Sequence, residues 1–75
     1  MKHVREMTLG ELLRRRIHDY GYPSARAASR DLGLSTNEMS RLLRDSKYPN
    51  IETRRTLVRV LDLDAGVLDE VCRRA

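Results

Sequence analysis

Four polar side chains that fall within six residues have the hydrogen-bonding chemistry needed to read the edges of DNA bases: Thr36, Asn37, Ser40 and Arg41. An asparagine amide can pair with N6 and N7 of adenine, and an arginine guanidinium can pair with O6 and N7 of guanine. Asn37 and Arg41 are four residues apart, which places them on one face of an α-helix. Serine and threonine hydroxyls can contact bases or phosphates. The pattern predicts a base-reading surface, provided that a helix presents it.

The sequence offers no comparable pattern for catalysis or metal binding. His3 and His18 lack partners at metal-ligand spacing, and no histidine lies near Cys72 in sequence. The acidic residues at positions 62–70 are too irregularly spaced for a calcium loop and lack a glycine at its sixth position. We therefore expect no metal, no small-molecule cofactor and no enzymatic activity.

Length and composition predict one small intracellular domain. The chain has 75 residues, of which 40% are hydrophobic, and it has three tyrosines but no phenylalanine or tryptophan, so the core must be aliphatic. Lys and Arg number 15 against 11 Asp and Glu, an excess that suggests a polyanionic partner. The single cysteine excludes an intrachain disulfide. Because no long apolar run or signal peptide is visible, we expect a soluble cytoplasmic protein without membrane contact.

The apolar residues follow a helical period, and capping residues divide them into helices. Thr8 and Glu11 form a predicted capping box, followed by an inner stripe of Leu9, Leu12, Leu13 and Ile17. Gly21 and Pro23 end this helix, and Ser24 caps a second one whose inner stripe is Ala25, Ala28 and Leu32. Residues 1–7 are predicted to form a flexible arm that contains Lys2, His3 and Arg5, and residues 8–75 a single domain.

Three further helices are predicted after Gly33, which ends helix 2. Ser35 and Glu38 form a second capping box that opens helix 3, with Met39, Leu42 and Leu43 inward. Asn50 caps helix 4, for which Ile51, Leu57, Val58 and Leu61 are predicted to face inward. Asp64 caps helix 5, with Val67, Leu68 and Val71 inward and packed onto helices 1 and 4. The predicted fold is an all-α, compact five-helix bundle.

Helices 2 and 3 have the features of a helix-turn-helix. A glycine supplies the positive φ that the reversal at Gly33 requires, Met39 anchors the second helix, and polar residues remain outside. A helix with this arrangement can enter the major groove of DNA, which is about 12 Å wide.

Residues 9–71 also resemble the Cro/cI-type (XRE family) helix-turn-helix domain. The resemblance rests on the order and spacing of four stretches: residues 28–35, 39–43, 48–53, and 61–64 leading into 67–68. It implies a bundle of the lambda-repressor-like type that binds specific double-stranded DNA as a dimeric transcriptional regulator, and we expect a repressor, associated with the nucleoid when bound. Many members carry glutamine at the position of Ala25, where it touches a phosphate, and Arg26 is the expected substitute.

The remaining positions give expectations of different kinds. The residues expected to hold phosphates are Ser35, Arg26, Arg44, Lys47, Tyr48, Asn50 and Arg54. The run at residues 14–16 is three consecutive arginines, which point in different directions on a helix, so they cannot all meet one phosphate chain. A homodimer on an inverted-repeat operator is expected, with Leu63 or Cys72 as possible contact residues.

Two other functions remain open at this point. A helix-turn-helix-like bundle can serve as an interaction module, for example an antitoxin-like partner-binding protein. A structured-RNA binder is a weaker alternative, because helix 3 lacks the stacking aromatic residues of single-strand readers.

Overall fold

The computed structural model describes residues 7–73 and contains five α-helices and no strand over that range. The helices are α1 (Leu9–Asp19), α2 (Ala25–Leu32), α3 (Thr36–Leu43), α4 (Ile51–Leu61) and α5 (Ala65–Arg73). The all-α, five-helix prediction is therefore confirmed. The predictions for Lys2, His3 and Arg5 fall outside the described residues. Met7, assigned to the arm, is half-buried and packs against the core.

The predicted caps set the helix starts. Thr8 and Ser35 each form a complete capping box, in which the hydroxyl accepts the amide hydrogen of Glu11 or Glu38 and that glutamate accepts the amide of the cap. The other three caps each accept the amide three residues onward: Ser24, Asn50 and Asp64. Local sequence thus explains where all five helices begin.

The core is aliphatic, as the composition predicts. Its buried members are Leu9, Leu12, Leu13, Ile17, Ala28, Leu32, Met39, Leu42, Leu57, Leu61, Leu63, Leu68 and Val71. Helix α1 contacts α2, α3 and α5, while α4 contacts α2 and α5. The predicted packing of α5 onto α1 and α4 is confirmed. The described chain measures 26 × 26 × 21 Å along its principal axes.

Two predictions about individual apolar residues are wrong. Ile51 was expected to face inward, but it is 67% exposed. It lies about 120° around the helix from Leu57, the centre of the buried stripe, at 100° per residue. Ile51 instead borders an open groove of about 450 Å³ between α4 and α5, which Val58, Ala65 and Leu68 also line.

Leu63 was considered for a dimer contact, but it is only 6% exposed. Asp62 adopts a left-handed conformation at φ 51°, and this reversal between α4 and α5 returns Leu63 to the core. Leu63 therefore stabilises the monomer and is not available at the surface. Cys72, the other residue considered, is half-buried and packs against the core.

Arg16 joins the first and fourth helices. Its Nε donates to the Leu61 carbonyl at 3.2 Å, and its Nη2 donates to the Asp62 carbonyl at 2.6 Å. The guanidinium also lies 5.5 Å from the centroid of the Tyr20 ring. Because the last carbonyls of a helix have no intrahelical partner, the side chain of Arg16 satisfies the end of α4 from α1.

Candidate functional site

Helices α2 and α3 meet through a three-residue connection that begins with a left-handed glycine. Gly33 has φ 69°, its amide donates to the Arg30 carbonyl, and the Leu34 amide donates to the Ser29 carbonyl at 2.9 Å. These are the two hydrogen bonds of a Schellman motif, which satisfies the last carbonyls of α2. The connection ends at Ser35, whose capping box starts α3.

The two helices pack against each other through small and apolar residues. Ala28 and Ser29 are buried on α2, and the Ser29 hydroxyl donates to the Arg26 carbonyl at 2.7 Å, so its polar atom is satisfied without a partner from α3. Met39 and Leu42 are each 2% exposed and anchor α3. The inner side of α3 is therefore fixed in the core.

The opposite side of α3 carries the predicted base-reading residues. Thr36, Asn37 and Arg41 are exposed, and Ser40 is half-buried between them. None of these four side chains hydrogen-bonds or forms an ion pair with residues 7–73. Their donors and acceptors are thus available to a ligand, and we refer to these four residues as the outer face of α3.

The turn that ends α3 has the same backbone geometry as the turn that precedes it. Asp45 has φ 59°, its amide donates to the Leu42 carbonyl at 3.2 Å, and the Ser46 amide donates to the Arg41 carbonyl at 3.0 Å. The Ser46 hydroxyl donates to the same carbonyl at 3.2 Å. A second Schellman motif therefore folds the chain back after α3.

The side chain of Asp45 reaches a different helix. Its Oδ1 accepts the amide hydrogen of Gly10, in the first turn of α1, at 2.8 Å. A Cβ on Gly10 would lie 2.2 Å from the Leu43 carbonyl oxygen and 2.8 Å from its carbon, so only glycine permits this approach. The N-terminal turn of α1 consequently packs directly on the C-terminal turn of α3.

Two of the residues expected to hold phosphates are helix caps. The Ser35 hydroxyl oxygen accepts the Glu38 amide at 3.0 Å, and the side-chain Oδ1 of Asn50 accepts the Thr53 amide at 2.8 Å. Each cap uses an acceptor and leaves its donor, a hydroxyl hydrogen or an NH₂ group, uncommitted. Capping is therefore compatible with donation to a phosphate.

Two of the expected phosphate ligands form ion pairs. Lys47 lies 3.6 Å from the Glu38 carboxylate, and both side chains are 45% exposed. Such an exposed pair contributes only about 0.2–1 kcal/mol, so a phosphate can compete for the ammonium group. Arg54 is held more firmly, because its Nε donates to the Pro49 carbonyl and its Nη1 pairs with Asp69 at 3.2 Å.

The other three expected ligands are Arg26, Arg44 and Tyr48. All are exposed, and their side chains make no hydrogen bond or ion pair within the described part of the chain. Arg26 is in the first turn of α2, and Arg44 is the residue that follows the last turn of α3.

Sequence reasoning missed the roles of Asp45 and Gly10, and it treated Arg16 only as part of a basic run. A glycine within an amphipathic helix carries a signal, because it costs about 0.5–1 kcal/mol relative to alanine and needs a packing reason. No comparable signal marks Asp45 or Arg16, whose partners lie 35, 45 and 46 residues away.

Two reactive side chains outside these residues have raised pKa values. Partial burial raises the pKa of the Cys72 thiol, which keeps it protonated and a poor nucleophile at neutral pH. A hydrogen bond to Asp31 raises the pKa of Tyr22 and fixes the α1–α2 connection. Over residues 7–73, no three His, Cys, Asp or Glu side chains are grouped to hold a metal ion, and no helix is long and apolar enough to cross a membrane.

Comparison of the chain with models of protein families, with curated proteins and with solved structures found no match.

Proposed function

We propose that this protein is a sequence-specific double-stranded DNA-binding regulator, a repressor, that inserts α3 into the major groove. In this proposal α2, Gly33 and α3 form a helix-turn-helix within a bundle of the lambda-repressor-like type. The observation that carries the proposal is the contrast between the two sides of α3. Met39 and Leu42 are buried, whereas Asn37 and Arg41 are exposed and have no partner among residues 7–73.

Base recognition falls to the outer face of α3. Asn37 and Arg41 have the two side chains that can make bidentate contacts with adenine and guanine, respectively. Thr36 and Ser40 add hydroxyls that can donate or accept. A rigid inner side supports this assignment, because base contacts require side chains that approach from a fixed backbone.

Phosphate contacts fall to the residues around that face. Arg26, Arg44 and Tyr48 have uncommitted side chains, and the caps Ser35 and Asn50 have uncommitted donors, as described above. Lys47 joins them if the phosphate displaces Glu38. Arg54 is the weakest member of the set, since two of its three guanidinium nitrogens already have partners.

The proposal includes a homodimer on an inverted repeat. Residues 7–73 extend 26 Å along their longest principal axis, which is shorter than one turn of B-DNA, about 34 Å. Two copies can therefore occupy successive major grooves on one side of the duplex. A single module buries only about 600–1,000 Å² on DNA, so two copies are needed for useful specificity.

Selection of bound duplexes from a random library tests the proposal most directly. We expect enrichment of an inverted repeat whose half-sites are about 34 Å apart. Affinity for the enriched duplex should fall with salt, with a slope of about −0.9 in log K against log salt for each phosphate contact. A library without enrichment together with a flat salt profile would refute the proposal, and a monomer bound to an isolated half-site at saturation would refute its dimeric part.

The alternative function is a protein-interaction module of the antitoxin-like kind. The exposed Ile51 at the edge of the groove between α4 and α5 favours it, because exposed large apolar side chains beside a groove can bind a partner. Such a module has no strong duplex affinity and no steep salt dependence, so the same titration separates the two functions.

A further inference from the structure

The turn after α3 contains a residue whose conformation calls for a physical reason. Glycine is the least strained residue at φ 59°, because an L side chain is disfavoured in the left-handed region. Asp45 occupies this position instead. The turn itself needs only the backbone, so the side chain has to be explained by what it contacts.

The Asp45 side chain contacts a backbone amide in the first turn of another helix, α1. The first amides of a helix lack intrahelical acceptors. In α1 the Thr8 hydroxyl accepts the Glu11 amide, and the Asp45 carboxylate accepts the Gly10 amide. A carboxylate is also favoured there by the partial positive charge of the helix N-terminus. Asp45 therefore ends α3 and caps α1 at once.

A left-handed aspartate does not by itself create such a contact. Asp62 has φ 51° at the end of α4, and its carboxylate makes no hydrogen bond or ion pair within residues 7–73. Only its backbone carbonyl is used, as an acceptor for Arg16. Asp62 is thus a matched comparison residue: the residue type and the conformation are the same, but the carboxylate contact is missing.

Hydrogen bonds within the turn after α3 connect Asp45 to Arg41, which belongs to the outer face of α3. The next residue, Ser46, donates both its amide and its hydroxyl to the carbonyl of Arg41. Beside it, the close approach of Gly10 to Leu43 leaves no space for α3 to slide toward α1. The backbone of Arg41, a proposed base-reading residue, is therefore connected to α1 by the hydrogen bonds of Ser46 and Asp45.

We propose that Asp45 is a positioning residue, which sets the orientation of α3 relative to α1 and thereby the presentation of Asn37 and Arg41. The effect on DNA rests on the proposed function, whereas the orientation of α3 does not. Asp45 itself touches no base in this mechanism and acts through the helix that it ends.

Three variants separate this role from a general effect on folding. Asp45→Gly keeps the left-handed turn and removes the acceptor, so the domain should stay folded. Asp45→Asn keeps a side-chain oxygen and tolerates the same conformation. Asp62→Gly is the matched control. All four proteins are compared at a temperature well below their midpoints of thermal unfolding.

Two measurements are made on each protein. Residual dipolar couplings of backbone amides give the orientation of α3 relative to α1 without DNA. Binding titrations with the selected duplex and with a base-shuffled duplex of equal length give the discrimination ratio. For Asp45→Gly we expect dipolar couplings that report a changed orientation of α3, and faster hydrogen exchange of the Gly10 amide. The selected duplex should bind about tenfold more weakly, which is comparable to the loss of one base contact. Binding of the shuffled duplex should change by less than about twofold. Asp45→Asn and Asp62→Gly should match the wild type.

Each outcome decides a different statement. Unchanged α3 couplings in Asp45→Gly overturn the positioning role, whether or not the protein binds DNA. Couplings that report a changed orientation of α3, together with an unchanged discrimination ratio, overturn the statement that Asp45 affects DNA recognition. A wild-type protein that does not discriminate between the duplexes contradicts the proposed function, while the couplings still test the role of Asp45. An equal effect of Asp62→Gly would show that the turn conformation causes the result and that the Asp45 carboxylate does not.

Discussion

The turns at the two ends of α3 have nearly the same backbone and different consequences. Gly33 and Asp45 have φ 69° and 59°, and in both turns two successive amides donate to carbonyls three and five residues earlier. At Gly33 no atom lies within 4 Å of an added Cβ, so this residue reverses the chain beside open space. At Asp45 the side chain holds the first turn of α1.

The difference shows how one turn geometry can serve two purposes. Glycine removes the steric penalty of the left-handed region but offers no side chain for a tertiary contact. Aspartate accepts a penalty below the roughly 1–2 kcal/mol of an ordinary residue and gains a charge-assisted hydrogen bond to a helix N-terminus. The start of α3 is therefore determined locally, whereas its end is joined to the rest of the domain.

The largest expected effect comes from breaking the approach of α1 to the end of α3. Gly10→Ala places a Cβ against the Leu43 carbonyl, a backbone atom that cannot rotate away. We expect a loss of about 2–3 kcal/mol in the free energy of unfolding, or roughly 10–20 °C in the thermal midpoint. Thermal unfolding followed by circular dichroism measures this change.

Gly66→Ala in α5 is the matched control for that variant. Its Cβ would meet only the Asp64 carboxylate oxygen, at 3.1 Å, and alanine favours the helix by up to about 1 kcal/mol. Equal midpoints for the two alanine variants would show that the approach at Gly10 has more space than the structure indicates.

The second effect concerns Arg41, which lies on α3 between the two turns. Arg41→Ala should weaken binding of the selected duplex by about 1–3 kcal/mol and relax the preference at one base pair, because a bidentate contact is lost. Titrations on selected and shuffled duplexes measure it, with circular dichroism as the folding control. Weakening by the same factor on both duplexes would mean that α3 does not read bases.

The third effect tests whether a glycine turn contributes anything beyond its conformation. Gly33→Ala should lower the free energy of unfolding by about 1–2 kcal/mol, because alanine is strained at positive φ. Gly21→Ala should cost the same amount, since Gly21 has φ 74° and also has open space around it. Chemical denaturation of the two variants gives these values.

Well below their unfolding midpoints, both glycine variants should keep the wild-type discrimination ratio, in contrast to Asp45→Gly. A selective loss in Gly33→Ala alone would indicate that the turn before α3 also positions the outer face.

The smallest effect concerns the loop that follows Asp45. Lys47→Ala should change the free energy of unfolding by less than about 0.5 kcal/mol, because its ion pair with Glu38 is exposed. It should weaken all duplexes about equally and reduce the salt slope by about 1. Salt titrations on both duplexes check this. An unchanged slope would show that Lys47 stays with Glu38 in the complex and does not contact a phosphate.

The sequence alone determines where the five helices start and where α1 and α2 stop. Thr8, Ser24, Ser35, Asn50 and Asp64 satisfy amides within three residues, and Gly21 and Gly33 provide positive φ, so each signal acts over a few positions. The same short range explains why most of the core and the outer face of α3 could be predicted from helical periodicity. Helical periodicity relates positions three or four residues apart, so it indicates which side of a helix is apolar without specifying which helix packs against that side.

Only the tertiary structure decided how the helices are joined. The partners of Asp45 and Arg16 lie 35 to 46 residues away, and no local pattern encodes which distant amide or carbonyl a side chain will reach. The burial of Ile51 and Leu63 was also predicted wrongly. Ile51 lies at a helix end and Leu63 in a turn, where burial depends on which other elements pack against the residue. Long-range contacts of this kind depend on the relative placement of whole helices, which the collective packing of the core sets.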